Sequence, residues 1–268
     1  MNTLRARLIS IFLIVAIAGV GAVGLISLTQ ARKGIIDSAW KEGEADALAL
    51  STNIDNYLRE RVKILEVLAG QNSVRSMNWE EQQPALAPLY DQYKFADIFV
   101  AALDGATTDV KLGPQKVNVK DREYFATAVR EKKTVVSQPA VNRRTGALSF
   151  FYATPVMKGG EVTAVLVAGE NMDNISKIAA SMVWGQNGYA YLLDRSGVII
   201  AHRVQEFVGT LNPSFESDKV APELARGMRD GLTGRSGRIE YFFNGRDQMN
   251  TYAPVPYTGW LAAVTTPT

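Results

Sequence analysis

The sequence predicts an α+β protein: an apolar N-terminal transmembrane helix, a long helix after it, and two small antiparallel-sheet modules with helices at one side. Three observations predict it. Residues 8–29 carry no charge, and residues 31–70 are polar, free of proline and spaced like a helix. From residue 95 onward, strand–turn–strand segments recur twice in the same order.

The first element is LISIFLIVAIAGVGAVGLISLT, residues 8–29. An uncharged run of roughly 20 residues is what a helix rising about 1.5 Å per residue needs to cross a bilayer. Inside it lies GVGAVG, whose Gly19, Gly21 and Gly24 spell the Gly-x-Gly-x-x-Gly dinucleotide fingerprint. That fingerprint requires a strand before it, a helix opening at its last glycine, a second strand, and an acid about 20 residues on. Glu44 stands at that distance, but the apolar run continues through the glycines and no second strand precedes Glu44. Nucleotide binding is therefore not expected. The small residues Ala18, Gly21 and Ala22 would instead let two such helices approach closely. The run exceeds the roughly 7–15 residues of a signal-peptide core, so an uncleaved anchor is expected. Arg5, Arg7 and the amino terminus precede the run, and Arg32 and Lys33 follow it. This is a small bias toward a cytoplasmic N-terminus at 1–7 and a body outside.

Residues 30–71 are expected to form one long helix. Ile54, Tyr57, Leu58, Ile64, Leu65 and Leu68 approximate the spacing of one apolar face, and charged residues fill the gaps. Ala69-Gly70-Gln71-Asn72 is the expected stop. ADIFVAALDGATTDV and GYAYLLDRSGVIIAHR then read as hairpins turning at Asp104-Gly105 and between Asp194 and Gly197. A second pair follows the same plan, SFFYATPVMKGGEVTAVLVAGE at 149–170 and MNTYAPVPYTGWLAAVTT at 249–266. Tyr152-Ala153 before Pro155 echoes Tyr252-Ala253-Pro254, the mark of a diverged internal repeat. Helical stretches fall at 121–133, 173–182 and 222–232. The expected modules are residues 72–182 and 183–268, each an antiparallel sheet with helices at one side.

Composition removes several function classes. A net charge of +2 over 268 residues argues against nucleic acid as a partner. With no cysteine there are no disulfides and no thiolate metal sites. His202 is the single histidine, so a histidine-rich metal site is excluded and any His-dependent triad must use it. It reads as structural. No Gly-x-Ser-x-Gly or His-Glu-x-x-His occurs, and no carboxylate pair stands out. No enzyme, no cofactor and no metal are expected.

The most informative stretch is VNVKDREYFATAV, residues 117–129. Asp121 suits a helix N-cap. Arg122 would then sit in the first turn, where a cation opposes the helix dipole by about 0.3–1 kcal/mol. One reading is that Arg122 serves an anion beside the helix start, with Tyr124 and Phe125 as aromatic walls. The other is a surface arginine paired with Asp121 or Glu123.

With LDG, VKDREYF, TVVSQPAVNRRTGALSFFYATPV and WGQNGYAYLLDRSGVIIAH behind a membrane helix and a stalk helix, the chain resembles a double-Cache (dCache) sensor domain. Such domains are extracytoplasmic inputs of bacterial chemoreceptors, histidine kinases and diguanylate cyclases. The resemblance covers roughly residues 5–268 and implies two PAS-like modules, with a small ligand held in the membrane-distal one. Many relatives bind amino acids through Arg-x-Trp after an upstream Tyr, then a strand Tyr and Asp, and a later Asp for the ammonium. This chain keeps the arginine as Arg122 and has Tyr124 for the Trp. The other positions become Val117, Ala140, Asn142 and about Gly169. An ammonium needs acceptors or negative charge to offset its lost hydration. The resemblance thus implies a small organic acid or polar metabolite in place of a standard amino acid. The candidate ligand residues are Arg122, Tyr124, Phe125, Asn142, Phe151, Tyr152, Glu170 and Asn171. Phe151 and Tyr152 alternate along one strand, so only one faces the pocket. Glu170 or Asp173 enters only if the alignment slips past Gly169. The expected setting is the cell membrane with the sensor periplasmic, as a homodimer. A methyl-accepting chemotaxis receptor is the first parent. A diguanylate cyclase or histidine kinase is the second, and a membrane-anchored enzyme or scaffold is the competing class.

Overall fold

A computed structural model describes residues 2–243 and 245–268, with the side chains of 2–7, 10–11 and 14–16 outside that description. The chain divides into two units, residues 1–43 and residues 44–268. Helix α1 spans Asn2–Ala69. Within the first unit, Gly19, Gly21 and Gly24 are helical with nothing packed against them, so the strand and turn of a nucleotide fingerprint are absent there. Among the described residues no helix is long and apolar enough to cross a membrane. The span expected at 8–29 falls partly on side chains outside the description, as does the segment 1–7.

In the second unit, α1 buries Ala47, Leu50, Ile54, Leu58, Val62, Leu65 and Ala69. That spacing of three and four is one helical stripe. The helix stops where the sequence places Gly70, whose amide closes the last turn on Glu66 O at 3.2 Å. Three short helices follow: α2 (Asn72–Arg75), α3 (Trp79–Leu86) and α4 (Pro88–Tyr93). Asn78 caps α3 by accepting from the Glu80 amide at 3.1 Å.

The first sheet contains β1 (Asp97–Ala102), β2 (Ala106–Asp109), β3 (Gly113–Asn118), β4 (Val135–Val136), β5 (Ala140–Val141), β6 (Leu148–Lys158) and β7 (Glu161–Asn171). Its order is β3-β2-β1-β7-β6-β4, with β5 also on β6. Gly105, at φ +86°, makes the β1–β2 turn, and its missing Cβ leaves room for Asn118 and Lys120. Helix α5 (Glu123–Glu131) packs Tyr124, Phe125 and Ala128 onto the face built by Phe99, Phe151, Ala153, Val165 and Val167. Helix α6 (Asp173–Ala180) leads to the second sheet.

That sheet contains β8 (Tyr189–Leu193), β9 (Ile199–Ala201), β10 (Gly237–Phe243), β11 (Arg246–Pro254) and β12 (Leu261–Pro267) in the order β10-β11-β12-β8-β9. Helix α7 (Pro222–Leu232) lies on it. Both sheets are fully antiparallel and share one plan: the first strand of the opening hairpin pairs with the last strand of the closing one. This is the α+β architecture read from the repeat. Strands β3 and β10 and helices α2–α4 carry too little periodicity to be placed from sequence.

One capping expectation is corrected. Asp121 does not cap α5; Arg122 occupies the cap position with extended backbone, and its amide turns onto Val119 O at 2.9 Å. The Asp121 carboxylate instead takes both guanidinium nitrogens of Arg143, at 2.9 and 2.5 Å. A bidentate charge-assisted pair outcompetes a cap to neutral amides.

Candidate functional site

A pocket opens on the α5 face of the first sheet, where β2, β3 and the start of α5 meet the β5–β6 connection. Its apolar wall is Phe99, Val117, Val119, Phe151 and the Tyr124 ring, and its polar rim is Asp97, Asp109, Asn142, Arg122, Arg143 and Arg144. The cavity among these side chains is about 30 Å³, room for roughly one or two waters, so a larger ligand has to part its walls. Tyr124 and Phe151 stack at 5.0 Å between centroids and 23° between planes. Burial pushes the Tyr124 phenol up to about 12, so it stays a hydrogen-bond donor at neutral pH.

The charges divide unevenly. Asp97 is 2% exposed on β1 and accepts from Asn142 Nδ2 and from the Arg144 guanidinium. Arg144 also reaches Ala96 O at 2.9 Å. Asp109 is satisfied by the amides of Lys111 and Leu112 at 2.8 and 2.9 Å. Arg143 is taken by Asp121, whose pKa it lowers by hydrogen bonding. Arg122 differs: it donates to Val141 O at 3.1 Å and forms no ion pair among the described residues. A half-buried guanidinium with free donors beside an aromatic pair can hold a carboxylate or phosphate on an apolar body.

Four of the candidate residues, Arg122, Tyr124, Asn142 and Phe151, meet in this pocket. The other four lie elsewhere. Phe125 is one residue past Tyr124 on α5 and is 3% exposed in the core. Tyr152 and Glu170 project from the opposite sheet face, because strand side chains alternate. The Tyr152 hydroxyl donates to Glu170 Oε2 at 3.2 Å. Glu170 also accepts from Tyr57 of α1 and from Asn174 Nδ2 at 2.8 Å. Asn171 ends β7, where it accepts from Ser149 Oγ at 2.9 Å. Asn142 is in the pocket but is largely engaged internally: Oδ1 accepts the amides of Arg144 and Thr145 at 2.8 and 3.3 Å.

Asp97 and Arg144 were not singled out from the sequence. The signal was a charged residue inside the apolar run FADIFV. Its meaning required the β1–β7 register, which sets Asp97 opposite Gly169. The pocket therefore holds a carboxylate one strand away from Gly169, where the sequence lacks an acid.

The sequence profile of the Cache domain family matches residues 29–268. The methyl-accepting chemotaxis protein PscA of Pseudomonas syringae pv. tomato is 24% identical over 79% of this chain and 34% of its own length. TlpB of Bacillus subtilis, of the same description, is 22% identical over 96% of this chain and 38% of its own. The chain thus spans about a third of the length of the curated relatives it matches. Among solved structures, the ligand-binding domain of the Pseudomonas aeruginosa amino acid chemoreceptor PctB in complex with L-Arg superposes with a TM-score of 0.67 at 22% identity, over 88% of this chain and 96% of that one. The ligand-binding domain of Mlp24 with asparagine gives 0.68 at 17%, over 88% and 95%. The extracellular domain of the histidine kinase mmHK1S-Z2 gives 0.71 at 16%, over 85% and 97%. Identities this low carry the fold.

Proposed function

This chain belongs to the Cache domain family, and on that premise we propose that it is the extracytoplasmic input domain of a chemoreceptor that binds a small organic acid. The ligand sits in the first module, residues 72–182, against Tyr124 and Phe151, with its acid group on Arg122. The observation that carries this reading is Arg122 itself, an arginine that has no carboxylate partner among the described residues and stands at the mouth of an aromatic pocket. Tyr124 supplies a hydroxyl donor, and Asp97, balanced by Arg144, leaves Arg122 as the uncompensated charge. The domain binds and does not turn over its ligand. The uncharged run at 8–29 anchors the chain in the cell membrane, residues 30–71 form the stalk, residues 183–268 are the membrane-proximal module, and the receptor works as a homodimer. A histidine kinase input is the second reading, favoured by the likeness to mmHK1S-Z2.

The test is a thermal-shift titration of the full chain with acetate, succinate, malate and free amino acids. A bound acid at 100 times its Kd stabilises by about 2.7 kcal/mol, and Arg122→Ala should abolish the shift. Equal stabilisation of that variant would remove Arg122 from the site. A response confined to amino acids would overturn the organic-acid assignment.

A further inference from the structure

One segment touches both the pocket and the rest of the body. Residues 142–144 line the pocket rim, and residues 137–141 lead into them. At one end, Val141 O accepts from Arg122, Arg143 holds Asp121, and Asn142 and Arg144 hold Asp97. At the other end is Gln138. Its Oε1 accepts from the Arg195 amide in the β8–β9 turn and from Trp260 Nε1, both at 3.1 Å. Its Nε2 donates to Thr258 O at 3.4 Å. These three bonds leave the first sheet and land on the connections of the second.

Two of these bonds land on the β11–β12 connection, which is itself fastened to α1. The Tyr257 amide donates to Asp55 Oδ1 at 2.7 Å, and Ser51 Oγ donates to Pro254 O at 2.6 Å. Arg195 Nε braces the same connection at Thr258 O, 2.6 Å away. Trp260 is fully buried and meets Phe150 of β6 edge-on at 5.5 Å. The segment from Val136 to Ala140 lines a wide groove that also reaches Arg122, Arg195 and Tyr257. Open space beside a bonded segment lets it shift without overpacking a core.

We propose that Gln138 ties the state of the pocket to the second sheet and to α1. Movement of Arg122 on its anion displaces Val141, the segment pivots, and Gln138 transmits the shift to the β11–β12 connection and so to Asp55. The pocket's role in this rests on the proposed function above, but the connection itself does not. Such a claim requires coupling, not proximity.

The experiment is a double-mutant cycle on the full chain without added ligand, read by hydrogen exchange at the Tyr257 amide, which neither substituted residue touches. Arg122→Ala should change that exchange rate by about 2- to 30-fold, and in a Gln138→Leu background the same substitution should change nothing. Gln138→Glu keeps the acceptor for Arg195 and Trp260, so it should preserve the response; it also serves if the leucine variant does not fold. An unchanged Tyr257 amide in Arg122→Ala overturns the proposal, and so does an equal response with and without Gln138. A coupled cycle with no thermal shift by any acid would leave this connection standing and reject the ligand.

Discussion

Gly169 and Asp97 face each other across β7 and β1, and one carboxylate is all that position admits. A Cβ on Gly169 would lie 2.9 Å from Phe151 Cε1 and 3.1 Å from Asp97 Cβ. Gly169→Asp would therefore crowd the aromatic wall and set a second carboxylate beside Asp97. We expect a loss of about 1–3 kcal/mol in urea unfolding, the usual cost of overpacking. An unchanged midpoint would show that β7 yields. His202 follows the same logic of surroundings. It sits edge-on to Tyr189 at 5.0 Å and accepts the Val204 amide on Nδ1 at 2.9 Å. Burial lowers its pKa from 6.5 to about 4, as befits the structural role read from its isolation in the sequence.

Strand β7 works on both faces. Gly169 looks toward the pocket, and the next residue, Glu170, looks toward α1. There its carboxyl is surrounded by Tyr57, Tyr152, Asn174 and Arg61, whose Nε lies 3.3 Å away. The Arg61 guanidinium is stacked 3.4 Å over the Tyr57 ring. Burial raises Glu170 from 4.5 to about 8 and is the dominant cause; burial also lowers Arg61. An acid raised on folding stabilises fully below its ordinary value, and that contribution is lost as pH climbs through the folded value. Between pH 5 and pH 8.5, unfolding should thus lose at least about 1.4 kcal/mol, the worth of one pKa unit. Glu170→Gln should flatten the profile in that window. A wild-type profile that is already flat would mean that Arg61 keeps the carboxylate ionised throughout. Helix α7 shows a packing device of the same scale. Gly227 and Gly231, one turn apart, bring the helix onto Ile239, Tyr252 and Leu261 so closely that a Cβ at Gly227 would stand 1.9 Å from Ile239.

Residues 44–268 form a single unit although they hold two sheets. Trp260 against Phe150, Gln138 across the sheets, and α1 bonded to both Glu170 and the β11–β12 connection join them. We expect one cooperative unfolding transition, with tryptophan fluorescence and far-ultraviolet circular dichroism coincident. Two separated transitions would show that the sheets fold independently. At this scale the sequence was informative because its signals were local. The hairpins at 97–109, 148–171, 189–201 and 246–267 carry their own turns and alternation, and helices α5, α6 and α7 their own spacing. The short strands β4 and β5, of two residues each, have no pattern to read, yet β5 leads directly into Asn142, Arg143 and Arg144 of the pocket.

The sequence by itself determined the antiparallel α+β plan, the repeat, and Arg122 with Tyr124 at one helix start, since turn chemistry, periodicity and short-range spacing are properties of neighbouring residues. Only the tertiary structure decided that Asp97 stands beside Gly169, that Phe151 faces the pocket while Tyr152 and Glu170 face α1, and that Gln138 reaches Trp260. Those depend on strand register and on contacts between residues up to 122 positions apart, where a shift of one residue reverses every face.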